Sequence, residues 1–64
     1  MREKIKLLIK EFREKEMADP TDLIINFEDL AELIDEVDLY PTEPLDWYMD
    51  MRVRPLNDVK THVI

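Results

Sequence analysis

The stretch DPTDLIINFED, residues 19–29, decides how this chain folds. It can be assigned to secondary structure in two ways. A helix capped by Thr21 can run straight through this stretch, or residues 23–25 can form a short extended segment with Asn26 capping a separate helix. We favour the second division, because Asn26 is followed three residues later by Asp29, a variant of the capping box. The sequence therefore predicts a helix that begins just after Asn26.

Two parts of the chain have the 3.6-residue periodicity of amphipathic helices. In residues 2–17 the apolar stripe consists of Ile5, Leu8, Ile9 and Phe12. After Asn26 it consists of Phe27, Leu30, Leu33, Ile34 and Val37. Pro20 ends the first helix, because the residue before a proline is pushed out of the α region. The sequence predicts two helices, each with one apolar face.

Strict alternation of apolar and polar residues follows a loop marked by Pro41 and Pro44. The odd positions of residues 45–54 are all apolar, which is typical of a half-buried strand. Such a strand places Trp47 on the core face, together with the two methionines that follow it at every second position. Tyr48 then lies on the opposite face, where it is a candidate interface residue.

The last residues complete a hairpin in this interpretation. Residues 55–58 have the composition of a turn, and residues 59–64 are rich in β-formers. The chain is therefore predicted to be one small α+β domain, residues 1–64, in which two amphipathic helices pack with a short C-terminal β-hairpin. The alternative is an all-α three-helix domain, whose last helix is capped by Thr42.

Glycine and cysteine are both absent from the 64 residues. Without glycine, backbone positions with positive φ are expected to fall to Asn26, Asn57 or an aspartate. Glycine-rich phosphate-binding loops are excluded. Disulfide bonds and thiolate metal sites are excluded as well.

The formal net charge of −7 is unevenly distributed. Residues 18–50 contain 11 acidic residues and no Lys or Arg, whereas residues 1–17 and residues 51–64 each have a net charge of +2. We predict a one-sided acidic surface that binds a partner. Its candidate residues are Glu28, Asp29, Glu32, Asp35, Glu36, Asp38, Tyr40, Asp46, Tyr48 and Asp50. The competing interpretation is a solvated face that only maintains solubility.

No catalytic pattern accompanies these carboxylates. General acid–base catalysis needs a carboxyl group whose pKa is raised in a closed pocket, which so short a chain does not easily enclose. Residues 35–38 lack the glycine and the spaced glutamate of a calcium-binding loop. We therefore expect a protein that is not an enzyme and that needs no cofactor and no metal.

The charge pattern predicts a small cytoplasmic protein-interaction module, a regulator or inhibitor that binds a larger protein with a basic surface. An acidic chain is not expected to bind nucleic acid or a membrane directly. One alternative is a nucleic-acid mimic, in which the helix carboxylates continue onto Asp38, Glu43, Asp46 and Asp50 as one ribbon. A second alternative is a homo-oligomeric structural, assembly or antitoxin-like protein that pairs through its C-terminal strand, with a homodimer as the simplest form.

Overall fold

The computed structural model describes residues 1–37 and 45–64 and confirms an α+β fold. The elements are α1 (Arg2–Glu16), β1 (Asp22–Ile25), α2 (Phe27–Val37), β2 (Trp47–Tyr48), β3 (Met51–Pro55) and β4 (His62–Val63). The four strands form one mixed sheet in the order β2-β3-β1-β4. β1 is parallel to β3 and antiparallel to β4, and β2 and β3 form an antiparallel hairpin. The all-α alternative is wrong.

The predicted division at Asn26 is confirmed. β1 ends at Ile25, and α2 begins one residue after Asn26. The Asn26 side-chain oxygen accepts the backbone N–H of Asp29 at 2.8 Å, and the Asn26 carbonyl accepts the N–H of Leu30 at 2.9 Å. The side chain thus satisfies a donor that the first turn of a helix leaves free.

The core lies between the two helices and one face of the sheet. Ile5 of α1 and Leu33 of α2 are fully buried in it. They pack against alternate residues of the two central strands, which are Leu23, Ile25, Met51 and Val53. Both helices therefore cover the same face of the sheet. No helix in residues 1–37 and 45–64 is long and apolar enough to cross a membrane.

The hairpin turn lies at Met49–Asp50, not at residues 55–58. Tyr48 stands opposite Met51 across this turn, and both turn residues have positive φ, as a type I′ turn requires. Residues 45–54 are therefore not one continuous strand. Met49 is apolar and Asp50 is polar, so apolar residues still fall at odd positions across the turn. The alternation therefore does not reveal where the strand ends.

The turn reverses the predicted faces of two aromatic residues. Tyr48 shares the core side with Met51 and packs against the core cluster. Trp47 pairs with Arg52 and is 63% exposed. The placement of Trp47 and Met49 in the core and of Tyr48 outside is therefore wrong, since Met49 lies in the turn and is exposed, whereas Met51 is buried as expected. The end of the chain also pairs differently, because β4 joins β1 rather than residues 45–54.

Positive φ occurs in the described residues at Met17, Met49, Asp50 and Asp58. Two aspartates fill such positions as expected, but neither candidate asparagine does. Met17 follows the last residue of α1, and its N–H donates to the carbonyl of Arg13 at 2.9 Å. A non-glycine residue in this left-handed conformation carries a cost of about 1–2 kcal/mol.

We expect Met17→Gly to raise the free energy of unfolding by about 1 kcal/mol. The Met17 side chain is 91% exposed, so the substitution removes backbone strain and almost no packing. Equilibrium unfolding in urea measures the gain. Met17→Ala is the control, because it shortens the side chain but keeps the Cβ atom that causes the strain. Equal stability of the glycine and alanine variants would contradict this account.

Candidate functional site

The five predicted acidic residues of α2 fall into two groups with different surroundings. Glu36 and Asp29 face other parts of the molecule. The Glu36 carboxylate accepts hydrogen bonds from the Met1 ammonium at 3.0 Å and from the backbone N–H of Arg2 at 3.2 Å. Glu36 thus holds the start of α1 against the last turn of α2.

Asp29 belongs to a polar network that fixes β4 against the start of α2. The Thr61 hydroxyl donates to the Asp29 carboxylate and accepts the backbone N–H of Asn26 at 3.2 Å. The Asn26 amide also donates to the carbonyl of Val59 at 3.2 Å, and Lys4 reaches Asp29 at 3.4 Å. Since Thr61 is only 1% exposed, the network is partly removed from water. Asp29 is therefore a structural residue more than a surface residue.

Hydrogen bonding lowers the pKa of two aspartates. The Thr61 hydroxyl is the main cause for Asp29, with a further contribution from Lys4 and against the opposing effect of burial. For Asp22 the main cause of the lowered pKa is the hydrogen bond from Arg54, followed by that from Thr21. Both carboxylates are thus stabilised in the charged form by the fold.

Acidification is expected to destabilise the fold in part through Asp29. A carboxyl group with a lowered pKa in the folded state contributes stability above its unfolded pKa of about 3.9, and this stability is lost as the pH falls through the folded pKa. Urea unfolding between neutral pH and about pH 3 measures this loss. Asp29→Asn should start less stable at neutral pH and lose less stability on acidification. Parallel pH profiles of the two proteins would contradict the prediction.

The second group consists of Glu28, Glu32 and Asp35, which we call the acidic row. All three side chains are exposed. Their spacing of four and three residues places them on one face of α2, over successive turns. None forms an ion pair or a side-chain hydrogen bond with another described residue. Among the five predicted acids of α2, the acidic row is the group without a partner in the described part of the chain.

Of the remaining predicted residues, the structure describes three, which lie just before β2, in β2 and in the hairpin turn. Asp38 and Tyr40 lie outside the described residues, and Tyr48 is half-buried against the core. Asp46 is exposed next to β2, and its carbonyl accepts the N–H of Val53 at 2.8 Å. Asp50 lines a groove of about 660 Å³ between α1 and the hairpin turn.

That groove is lined by charged residues of α1 and by no residue of α2. Lys6, Lys10, Arg13 and Glu14 of α1 contribute to its walls, beside Asp19 and Asp50. Arg13 is already paired with Asp19. Asp50 therefore lies in a mixed-charge environment, and the sequence pattern did not separate it from the acids of α2.

Comparisons with known proteins add no constraint at this site. No protein-family model, curated protein or solved structure matches this chain. Within residues 1–37 and 45–64, no group of three His, Asp or Glu side chains is arranged to hold a metal ion. The carboxylates of the acidic row accept hydrogen bonds and attract cations.

Proposed function

We propose that this chain is a small protein-interaction module, a regulator or inhibitor that binds the basic surface of a larger protein through the acidic row. The observation that carries the proposal is the exposure of Glu28, Glu32 and Asp35 on one helix face, without a partner among the described residues. The neighbouring acids Asp29 and Glu36 are engaged within the molecule. The free carboxylates are therefore the ones available to a partner.

The spacing of the acidic row argues against a role in stabilising α2. Like charges four residues apart destabilise a helix by about 0.2–0.5 kcal/mol per pair. Three such residues span about 10 Å along the helix axis, which is close to the screening length of about 8 Å at physiological salt. They act on an approaching protein as one negative surface. Such a surface accelerates encounter with a basic partner and restricts the orientation of binding.

The nucleic-acid mimic receives less support. A mimic needs carboxylates in a continuous ribbon, and Asp50 lies in a groove beside α1 among charges of both signs. The homo-oligomer also receives less support, because the strand offered for pairing, β4, is only two residues long. A short edge strand presents few backbone groups to a second copy.

Charge reversal of the acidic row tests the proposal. The tagged wild-type chain is used to capture and identify its partner from source cells, and purified partner is then titrated with each variant. We expect Glu28→Lys, Glu32→Lys and Asp35→Lys together to weaken binding at least about tenfold, and wild-type binding to weaken as salt rises. The matched control reverses the exposed Glu3, Glu11 and Glu16 of α1, which changes the net charge equally.

Two results would contradict the proposal. One is equal binding of the wild type and the acidic-row variant. The other is an equal loss in the α1 control, since net charge rather than the acidic row would then determine binding. Circular dichroism of each variant confirms that the fold is retained.

A further inference from the structure

The sheet has a second face, which points away from both helices. Successive residues of a strand point to opposite sides, so the neighbours of the core residues point outward. The strand registers place the outward residues in two rows across the sheet. One row is Trp47, Arg52 and Asp22, and the other is Arg54, Ile24 and His62. We call these six residues the outer sheet face.

The outer sheet face combines apolar and cationic groups. Trp47, Arg52, Arg54 and His62 are exposed. Ile24 is only 6% exposed, although it lies outside the core cluster. Arg54 stands opposite Ile24 in the strand register, and long cationic side chains can cover an apolar neighbour while their charged ends stay in water.

The two arginines differ in their partners. The Arg54 guanidinium donates to the Asp22 carboxylate at 2.9 Å. Arg52 makes no ion pair with any residue in the described part of the chain. Among the described residues, Arg52 therefore presents a guanidinium without an ion pair, directly across the strands from an exposed indole.

We propose that the outer sheet face binds a linear peptide segment of a partner protein, in which an acidic side chain is next to an apolar one. Arg52 would donate paired hydrogen bonds to the carboxylate, which is the geometry that guanidinium groups favour. The indole of Trp47 would contact the apolar side chain. Tryptophan and arginine are among the residues enriched at interface hot spots, the positions where truncation to alanine weakens binding most.

The size of the face favours a linear ligand over a globular one. The strands β2, β3, β1 and β4 have two, five, four and two residues, and at a spacing of about 4.8 Å they give a footprint of roughly 200 Å². A stable complex of two globular proteins buries about 800 Å² on each side. A peptide of about six extended residues spans about 20 Å, which matches the width of the four strands.

The charge of the chain favours a peptide over a nucleic acid. Two arginines and Asp22 leave the face with little net positive charge, and the whole chain carries −7. A single-stranded nucleic acid has one negative charge per nucleotide and is repelled along its length. A peptide with one or two carboxylates meets much weaker repulsion. The outer sheet face lies on the opposite side of the sheet from α2, so it is independent of the acidic row.

Selection from a displayed library of random dodecapeptides on the immobilised full chain tests this proposal. We expect enriched sequences to contain Asp or Glu beside an apolar residue. Fluorescein-labelled peptides from the selection are then titrated by anisotropy. Arg52→Glu and Trp47→Ala should each raise Kd at least about tenfold, while Lys15→Glu and Leu7→Ala, matched exposed changes on α1, should leave it within about twofold.

Several outcomes would overturn it. These are a selection without enrichment, or peptides that bind Arg52→Glu and Trp47→Ala as tightly as the wild type. A third is an oligothymidine that binds more tightly than the peptides at about 0.15 M salt and is lost in Arg52→Glu, which would assign the face to single-stranded nucleic acid. Charge reversal of the acidic row should leave peptide binding intact, so failure here is distinguishable from failure of the proposed function.

Discussion

Replacing Ile25 with alanine is expected to remove about 2–5 kcal/mol from the free energy of unfolding. Ile25 is fully buried in β1, one of the two central strands, and belongs to the cluster that includes Ile5 and Leu33. Truncation leaves a cavity in this cluster. A domain of this size has only about 3–5 kcal/mol of stability from its core. The alanine variant should therefore be largely unfolded at 25 °C, as far-UV circular dichroism would report.

Ile25→Val provides the graded control for this prediction. It removes one methylene and should reduce the free energy of unfolding by about 0.5–1.5 kcal/mol, so that a cooperative urea transition remains measurable. An alanine variant that loses less than about 1 kcal/mol would contradict the packing described for this strand.

Thr61→Val is expected to lower the free energy of unfolding by about 1–3 kcal/mol. The substitution nearly preserves shape but removes the hydroxyl group that donates to Asp29 and accepts from the N–H of Asn26. Both groups lie in a partly buried network, where water does not fully replace the lost partner. In a domain of 60–100 residues each kcal/mol corresponds to about 4–8 °C in Tm, so thermal unfolding measures the effect.

Thr21→Val is the matched control, since it makes the same chemical change at an exposed site. The Thr21 hydroxyl donates to Asp22 at 2.8 Å, in a position that water reaches. Its loss should therefore change Tm much less. Similar Tm values for the two valine variants would show that the network around Asp29 is not a significant source of stability.

The two proposed surfaces differ in charge and in location. The acidic row lies on α2, in the helical layer, and the outer sheet face lies on the opposite side of the sheet with its two arginines. The two proposals together predict that two partners bind at once without competition between them. The charge imbalance along the sequence is thus converted into two separate surfaces by the two-layer fold.

The helices and the start of α2 were predictable because their signals are local. The apolar stripes of α1 and α2 follow from residue spacing alone, and the Asn26 cap acts within three residues of itself. The position of the acidic row on one helix face follows from the same periodicity. The engagement of Asp29 and Glu36 within the molecule does not follow from it, because their partners, Thr61 and the first residues of the chain, are more than 30 positions away.

The sheet was only partly predictable. Alternation in residues 45–54 indicated extended structure correctly, but an apolar turn residue at Met49 hid the turn. A two-residue turn keeps the odd–even pattern while it changes which side of the sheet each residue faces. The sequence pattern therefore predicts the wrong face for both Trp47 and Tyr48. It makes Tyr48 the interface candidate, although Trp47 is the exposed residue.

By itself the sequence determined the two helices and the concentration of acid between residues 18 and 50, and it favoured the α+β class and the cap at Asn26 over their alternatives. These depend on contacts between residues a few positions apart, where spacing fixes geometry. The tertiary structure decided which acids are free, which face Trp47 occupies, and that β1 lies between β3 and β4. Those outcomes depend on pairing between distant segments, and such pairing is set by packing of the whole core rather than by any local pattern.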